Sequence, residues 1–169
     1  MLPTFQNVSS ILRRERSTTR PPLPRSLAEI VLSDDQTRTK DNESFLIAND
    51  GTNYRLLGFC ADEALEILCS VDSVFMDGTF KVVPALFHQL HTLHENFEGE
   101  IIPSAHFLLP SKTKQTYLRM FASIRDHAAS RGLIVRPARF HIDFGVAVLK
   151  AIYDFSPTGE VKGCTFHFT

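Results

Sequence analysis

The sequence predicts an α/β fold, a mixed sheet built in the order β-β-β-α-β-α-β with three antiparallel strands, then parallel strands, and helices covering it. Three observations predict it. Residues Val74 to Pro110 hold three β-rich runs separated by turn chemistry at Pro84 and at Glu95-Asn96-Phe97-Glu98-Gly99. Beyond Pro110 the apolar spacing switches to a helical period, with Tyr117, Phe121, Ile124 and Ala128 at intervals of four, three and four. A strand, a helix and a strand then follow in alternation.

Taken in order, residues 1–44 read as a weakly ordered lead-in, rich in Ser, Thr and Pro, in which only Leu27 to Leu32 could make a short helix or docking segment. Residues 45–72 read as a β-hairpin plus helix preceding the core. Phe45 to Ala48 and Tyr54 to Phe59 flank an Asn49-Asp50-Gly51 turn, and Asp62 to Ser70 carries acidic residues in its first turn with Leu65, Ile67 and Leu68 for packing. Residues 73–169 form the core unit. Pro103 lies in its third run, Ile101 to Leu109, and a proline cannot donate to a ladder, which predicts that this strand lies at the sheet edge. Thr113 is the expected N-cap of the first core helix. Arg139 to Phe144 is the next strand, Val146, Leu149, Ile152 and Tyr153 mark one face of the second helix, and Val161 to Phe168 is the last strand.

Composition narrows the function classes. Hydrophobic residues make up 43% of 169 and Phe alone supplies 14, enough for a packed core and against disorder throughout. Net charge is -1, so the chain as a whole has no nucleic-acid signature, although residues 1–26 carry +4 and the remainder about -5. Cys60, Cys69 and Cys164 have no framework spacing and the N-terminus has no secretory pattern, which places the chain inside the cell, nuclear or cytoplasmic, with reduced thiols. No apolar stretch approaches the roughly 18 residues that would span a bilayer.

Two aspartates carry the candidate chemistry. Asp77 stands mid-strand in Val74-Phe75-Met76-Asp77-Gly78-Thr79-Phe80, and Asp143 ends Phe140-His141-Ile142-Asp143-Phe144. A carboxylate among apolar neighbours costs free energy unless something pairs with it. Converging at the carboxyl end of a parallel strand pair, the two could hold hard divalent cations. The alternative on spacing alone is that Asp77 caps a turn with Gly78 and Asp143 is the N-cap of the following helix.

Phe75-Met76-Asp77-Gly78-Thr79-Phe80-Lys81-Val82-Val83-Pro84 resembles the first catalytic motif of Mutator-like element (MULE) transposases, and Phe87-His88-Gln89-Leu90-His91-Thr92-Leu93-His94 the strand after it. Leu109-Pro110-Ser111-Lys112-Thr113 and Thr116 to Phe121 are similar to that family's edge strand and first helix. Ile142-Asp143-Phe144 resembles its second acidic motif, and Gly163 to Thr169 its Cys-x-x-His segment. The ordered set runs from about Pro21 to the end.

The resemblance implies a ribonuclease H-like catalytic domain, incomplete at its C-terminal side, in which Asp77 and Asp143 are the catalytic and metal-holding first two members of an Asp-Asp-Glu triad for Mg²⁺ or Mn²⁺. It implies DNA, the transposon ends, as partner. The third member would be a Glu on a helix downstream of residue 169, so the chain is expected to be inactive alone. Gly145 stands where many relatives carry an acidic residue. The apolar surface left uncovered would favour a homo-oligomer.

The remaining candidates are weaker. His88, His91 and His94 are evenly spaced, but on a strand His91 faces away from the other two, which lie about 20 Å apart, so a shared metal site is not expected. Cys164 and His167 have the chemistry of zinc ligands, yet two ligands do not make a structural site and a packing role is the alternative. Phe75, Phe80, Phe87, Phe107, Phe121, Phe140, Phe144, Phe155, Phe166 and Phe168 read as core. Two functions stay open: a fragment of a metal-dependent DNA transposase, or a non-catalytic DNA- or protein-binding module.

Overall fold

The structure, a computed structural model, describes residues 23–143 and 145–163. Among the described residues the protein is a mixed α/β fold with one seven-stranded sheet and four α-helices. The strands are β1 (Leu46–Asp50), β2 (Leu56–Cys60), β3 (Ser73–Thr79), β4 (Gln89–Phe97), β5 (Glu100–Leu109), β6 (Arg139–Ile142) and β7 (Glu160–Gly163), arranged β1-β2-β5-β4-β3-β6-β7. Neighbours from β1 to β3 are antiparallel, whereas β3-β6 and β6-β7 are parallel. The helices are α1 (Asp34–Thr37), α2 (Asp62–Ser70), α3 (Lys114–Ser130) and α4 (Val146–Phe155). From β3 onward the order is the expected one. None of the described helices is long and apolar enough to cross a membrane.

Paired residues on adjacent strands share a face of the sheet. One face carries Val74, Met76 and Gly78 with Leu93, His91, Phe107, Phe140 and Ile142. Helix α3 packs there: Tyr117 meets His91, Phe121 meets Phe140, and Arg119 binds Asp50 of β1. The core is thus Leu65 and Leu68 of α2, Met120, Ile124 and Ala128 of α3, and Ala151 and Ile152 of α4 against that face. The α3 pattern read from the sequence is the buried one, and its N-cap is Thr113, whose hydroxyl accepts from the Thr116 amide at 3.3 Å.

The β1-β2 hairpin continues the same sheet, with Leu57 to Cys60 pairing Ala105 to Leu108 of β5. This corrects the placement of β5 at the sheet edge. Pro103 is tolerated because β2 covers only Ala105 to Leu108. At Pro103 the strand has a partner on the β4 side alone, beside a register shift between Leu93 and His94. Within the stretch expected to be weakly ordered, Leu27–Glu29 forms a 3₁₀ turn whose Leu27 and Ile30 carbonyls accept from Arg55, and Ser33 with Gln36 makes a capping box for α1.

Three further expectations change. The turn after β4 is not Glu95 to Gly99 but Glu98-Gly99 alone, both at positive φ (53° and 91°), so Glu95 is drawn into the strand and fully buried. Helix α4 buries Val148, Ala151 and Ile152, while Val146 (63%) and Tyr153 (52%) are exposed. That helix is apolar nearly all round, so periodicity left its inner face ambiguous. Phe80 is not core: its ring is 42% exposed, with the Lys112 ammonium 3.6 Å above it and His88 against its edge. Strand β6 ends at Ile142, the expected last strand beyond Gly163 lies outside the described residues together with Phe144, Phe166 and Phe168, and the other six Phe positions are buried or half-buried.

Candidate functional site

The site is built by the parallel register of β3 and β6. Ser73, Val74, Phe75 and Met76 lie beside Arg139, Phe140, His141 and Ile142 in turn. The residues that follow this last pair are Asp77, within β3, and Asp143, directly after the end of β6, so the register brings two aspartates 66 residues apart in sequence to the same end of the strand pair. Apolar β-rich runs make these strands interior, and an interior parallel pair brings both carboxyl ends to one rim. Both residues are half-buried.

Asp77 shares its face with Phe75 and Thr79, away from α3. The Thr79 hydroxyl donates to Asp77 Oδ2 at 3.1 Å, which fixes one carboxylate oxygen. Neither alternative reading of the aspartates matches this geometry. Gly78 is within β3, opposite His91, rather than in a turn. The N-cap of α4 is Gly145, with no capping side chain, so Asp143 is not committed to the helix. A Cβ at Gly145 would lie 3.9 Å from Asp143 Oδ1, so a side chain at that position would stand beside the carboxylate.

Three histidines of the β4 region go to different places. His88 precedes the strand and is exposed, His94 is half-buried, and His91 is 1% exposed on the helix-covered face. Neither ring nitrogen of His91 has a hydrogen-bond partner among the described residues, and burial drives its pKa down to about 4 although the Asp77 charge pulls upward. His91 lies edge-on to Tyr117, ring centroids 5.3 Å apart, and Gln89 Nε2 donates to Tyr117 Oη at 2.8 Å. Burial raises the Tyr117 phenol above its ordinary range, with the Gln89 hydrogen bond opposing and the Asp143 charge adding. Gln89 and Tyr117 escaped the sequence reading because one looked like strand texture and the other like core spacing. Cys164 and His167 lie outside the described residues.

The donors at the rim are hard carboxylate oxygens, and Asp143 makes no ion pair with a described residue, so their chemistry fits a divalent cation such as Mg²⁺ or Mn²⁺. No group of three or more His, Cys, Asp or Glu able to hold a metal is present among the described residues. Two carboxylates at the same end of a parallel strand pair are therefore what these residues bring together.

A family model described as the MULE transposase domain matches residues 73–169, from the first residue of β3 onward. No curated protein matches the chain.

Proposed function

The chain belongs to the MULE transposase family, and from that premise we propose that it supplies the Asp77 and Asp143 limb of a metal-dependent centre for cutting and joining DNA strands. The observation that carries this is the β3-β6 register, whose last pair, Met76 and Ile142, immediately precedes the two acidic residues of the family-like motifs. The run β3-β4-β5-α3-β6-α4-β7, three antiparallel strands followed by two parallel crossovers, supports reading the sheet as ribonuclease H-like.

In this reading Asp77 and Asp143 hold Mg²⁺ or Mn²⁺ at the carboxyl rim. The cation would supply Lewis-acid activation of the attacking oxygen, water or a DNA 3′-hydroxyl, and neutralise charge at the phosphate. The protein's part is orientation. Thr79 fixes one oxygen of Asp77, and Asp143 is released from helix capping by Gly145. No protein nucleophile is required. Two carboxylates hold a cation less completely than three, so the chain alone is expected to bind metal without nicking DNA.

The test is Mn²⁺ binding to the full chain, followed by electron paramagnetic resonance and calorimetry, with Asp77→Asn and Asp143→Asn as variants. The expected outcome is measurable binding abolished by either substitution, with the far-ultraviolet circular dichroism unchanged. Binding that survives both substitutions, or no binding by the unaltered chain, would overturn the assignment.

A further inference from the structure

Directly behind the carboxylate rim, on the helix-covered face, lies a buried polar group that packing alone does not explain. Gln89, His91 and Tyr117 are 1%, 1% and 5% exposed. Apolar residues of similar volume would avoid the cost of burying an imidazole with both nitrogens unpaired. The group converges on one backbone position. A Cβ placed on Gly78 would stand 3.1 Å from Gln89 Oε1 and 3.4 Å from His91 Nδ1. Gly78 is the residue next to Asp77 and is paired with His91 across the ladder. The missing side chain at 78 is thus the space into which these two polar groups fit.

The other end of the group is anchored. Tyr117 Oη accepts from Gln89 Nε2, which leaves its own O–H hydrogen to donate elsewhere, and its ring holds His91 edge-on. Tyr117 is on α3, and α3 packs on α4, the helix that follows Asp143. One buried network therefore touches the β3 backbone beside Asp77, and through α3, whose Phe121 packs on Phe140 of β6, it reaches the strand that leads to Asp143. It lies against β3 from the side opposite the one where Asp77 emerges.

We propose that Gln89, His91 and Tyr117 are positioning residues that hold Gly78 and α3 from behind and so set the relative placement of Asp77 and Asp143. The inference rests on reading those aspartates as the metal-holding pair. Tyr117 fixes Gln89, Gln89 and His91 fix Gly78, and Gly78 fixes the strand that presents Asp77. Cutting any link relaxes the rim while leaving the apolar core in place.

The experiment uses the full chain and two variants that preserve shape, Tyr117→Phe and Gln89→Met, with Leu68→Val on α2 as a core change remote from the network. The first readout is metal-free: the backbone amide resonances of Asp77 and Asp143 in ¹⁵N correlation spectra. Tyr117→Phe keeps the ring and its magnetic shielding, so movement of both amides in both network variants, and of neither in Leu68→Val, is the expected result. The second readout is Mn²⁺ affinity, expected to fall by roughly tenfold in the network variants while melting temperature falls no more than in Leu68→Val. Unmoved Asp77 and Asp143 amides in both variants would overturn the positioning role, whatever the metal does. Moved amides in a chain that binds no Mn²⁺ would sustain positioning and remove the metal reading, so the two failures are told apart.

Discussion

Replacing Glu95 by Gln should make the protein more stable at high pH and leave it unchanged at low pH. Glu95 lies on β4 between Val74 of β3 and Ile102 of β5, is 0% exposed, and neither of its carboxylate oxygens has a hydrogen-bond partner among the described residues, the nearby Ser104 hydroxyl donating to the Leu93 carbonyl instead. Burial pushes its carboxyl from 4.5 up to about 7, with the nearby Ser104 hydroxyl pulling the other way. A carboxyl raised in the folded state contributes its full stability below pH 4.5, where folded and unfolded chains are both protonated. That contribution is lost as pH rises through about 7. At roughly 1.4 kcal/mol per pH unit between those values, the loss is at most about 3.5 kcal/mol. Gln keeps the shape and does not ionise.

The unaltered protein hides this loss. His91 is displaced in the opposite sense, from 6.5 down to about 4, so its contribution is present above pH 6.5 and is lost as pH falls toward 4. Between about pH 4.5 and 6.5 the two slopes oppose one another with similar size. The decisive quantity is therefore the difference between Glu95→Gln and the unaltered chain in urea unfolding, followed by circular dichroism from pH 4.5 to 8.5. It should grow from near zero to between roughly 1 and 3 kcal/mol, worth several degrees in melting temperature for a chain of this size. A difference independent of pH would refute the reasoning, because it would show that Glu95 does not hold a proton on folding.

Other substitutions test the packing. Gly58→Ala would set a Cβ 2.3 Å from Phe107 Cε1 and 3.0 Å from Ala48 Cβ, and should lower stability by roughly 2 kcal/mol or more in the same unfolding assay. Arg119→Ala removes hydrogen bonds to Asp50 Oδ2 (2.6 Å), Asp50 O (2.9 Å) and Tyr54 O (2.9 Å) that tie α3 to the first hairpin. It should cost about 1–2 kcal/mol and speed limited proteolysis between residues 50 and 55, read by mass spectrometry. Thr113→Ala removes the N-cap of α3 and should cost about 1 kcal/mol, measured as a lower midpoint of urea unfolding.

What the sequence determined by itself was local. Strand and helix texture follow from period, so the order from β3 to β7, the buried stripe of α3 and the Thr113 cap were legible without coordinates. The acidic residues were legible because each stands in a motif with the family's texture. Tertiary structure decided whatever depends on partners distant in the chain. The β3-β6 register brought Asp77 and Asp143 to the same end of a parallel pair, and pairing with β2 over four residues put β5 inside the sheet while leaving Pro103 free of a second strand partner. A two-residue turn pulled Glu95 into the core, and packing against α3 chose which apolar side of α4 is inside. Gln89, His91 and Tyr117 became one network only where α3 crosses the sheet. Period records what one element needs, whereas the side chains that meet across elements are fixed by register and packing, which a local pattern does not encode.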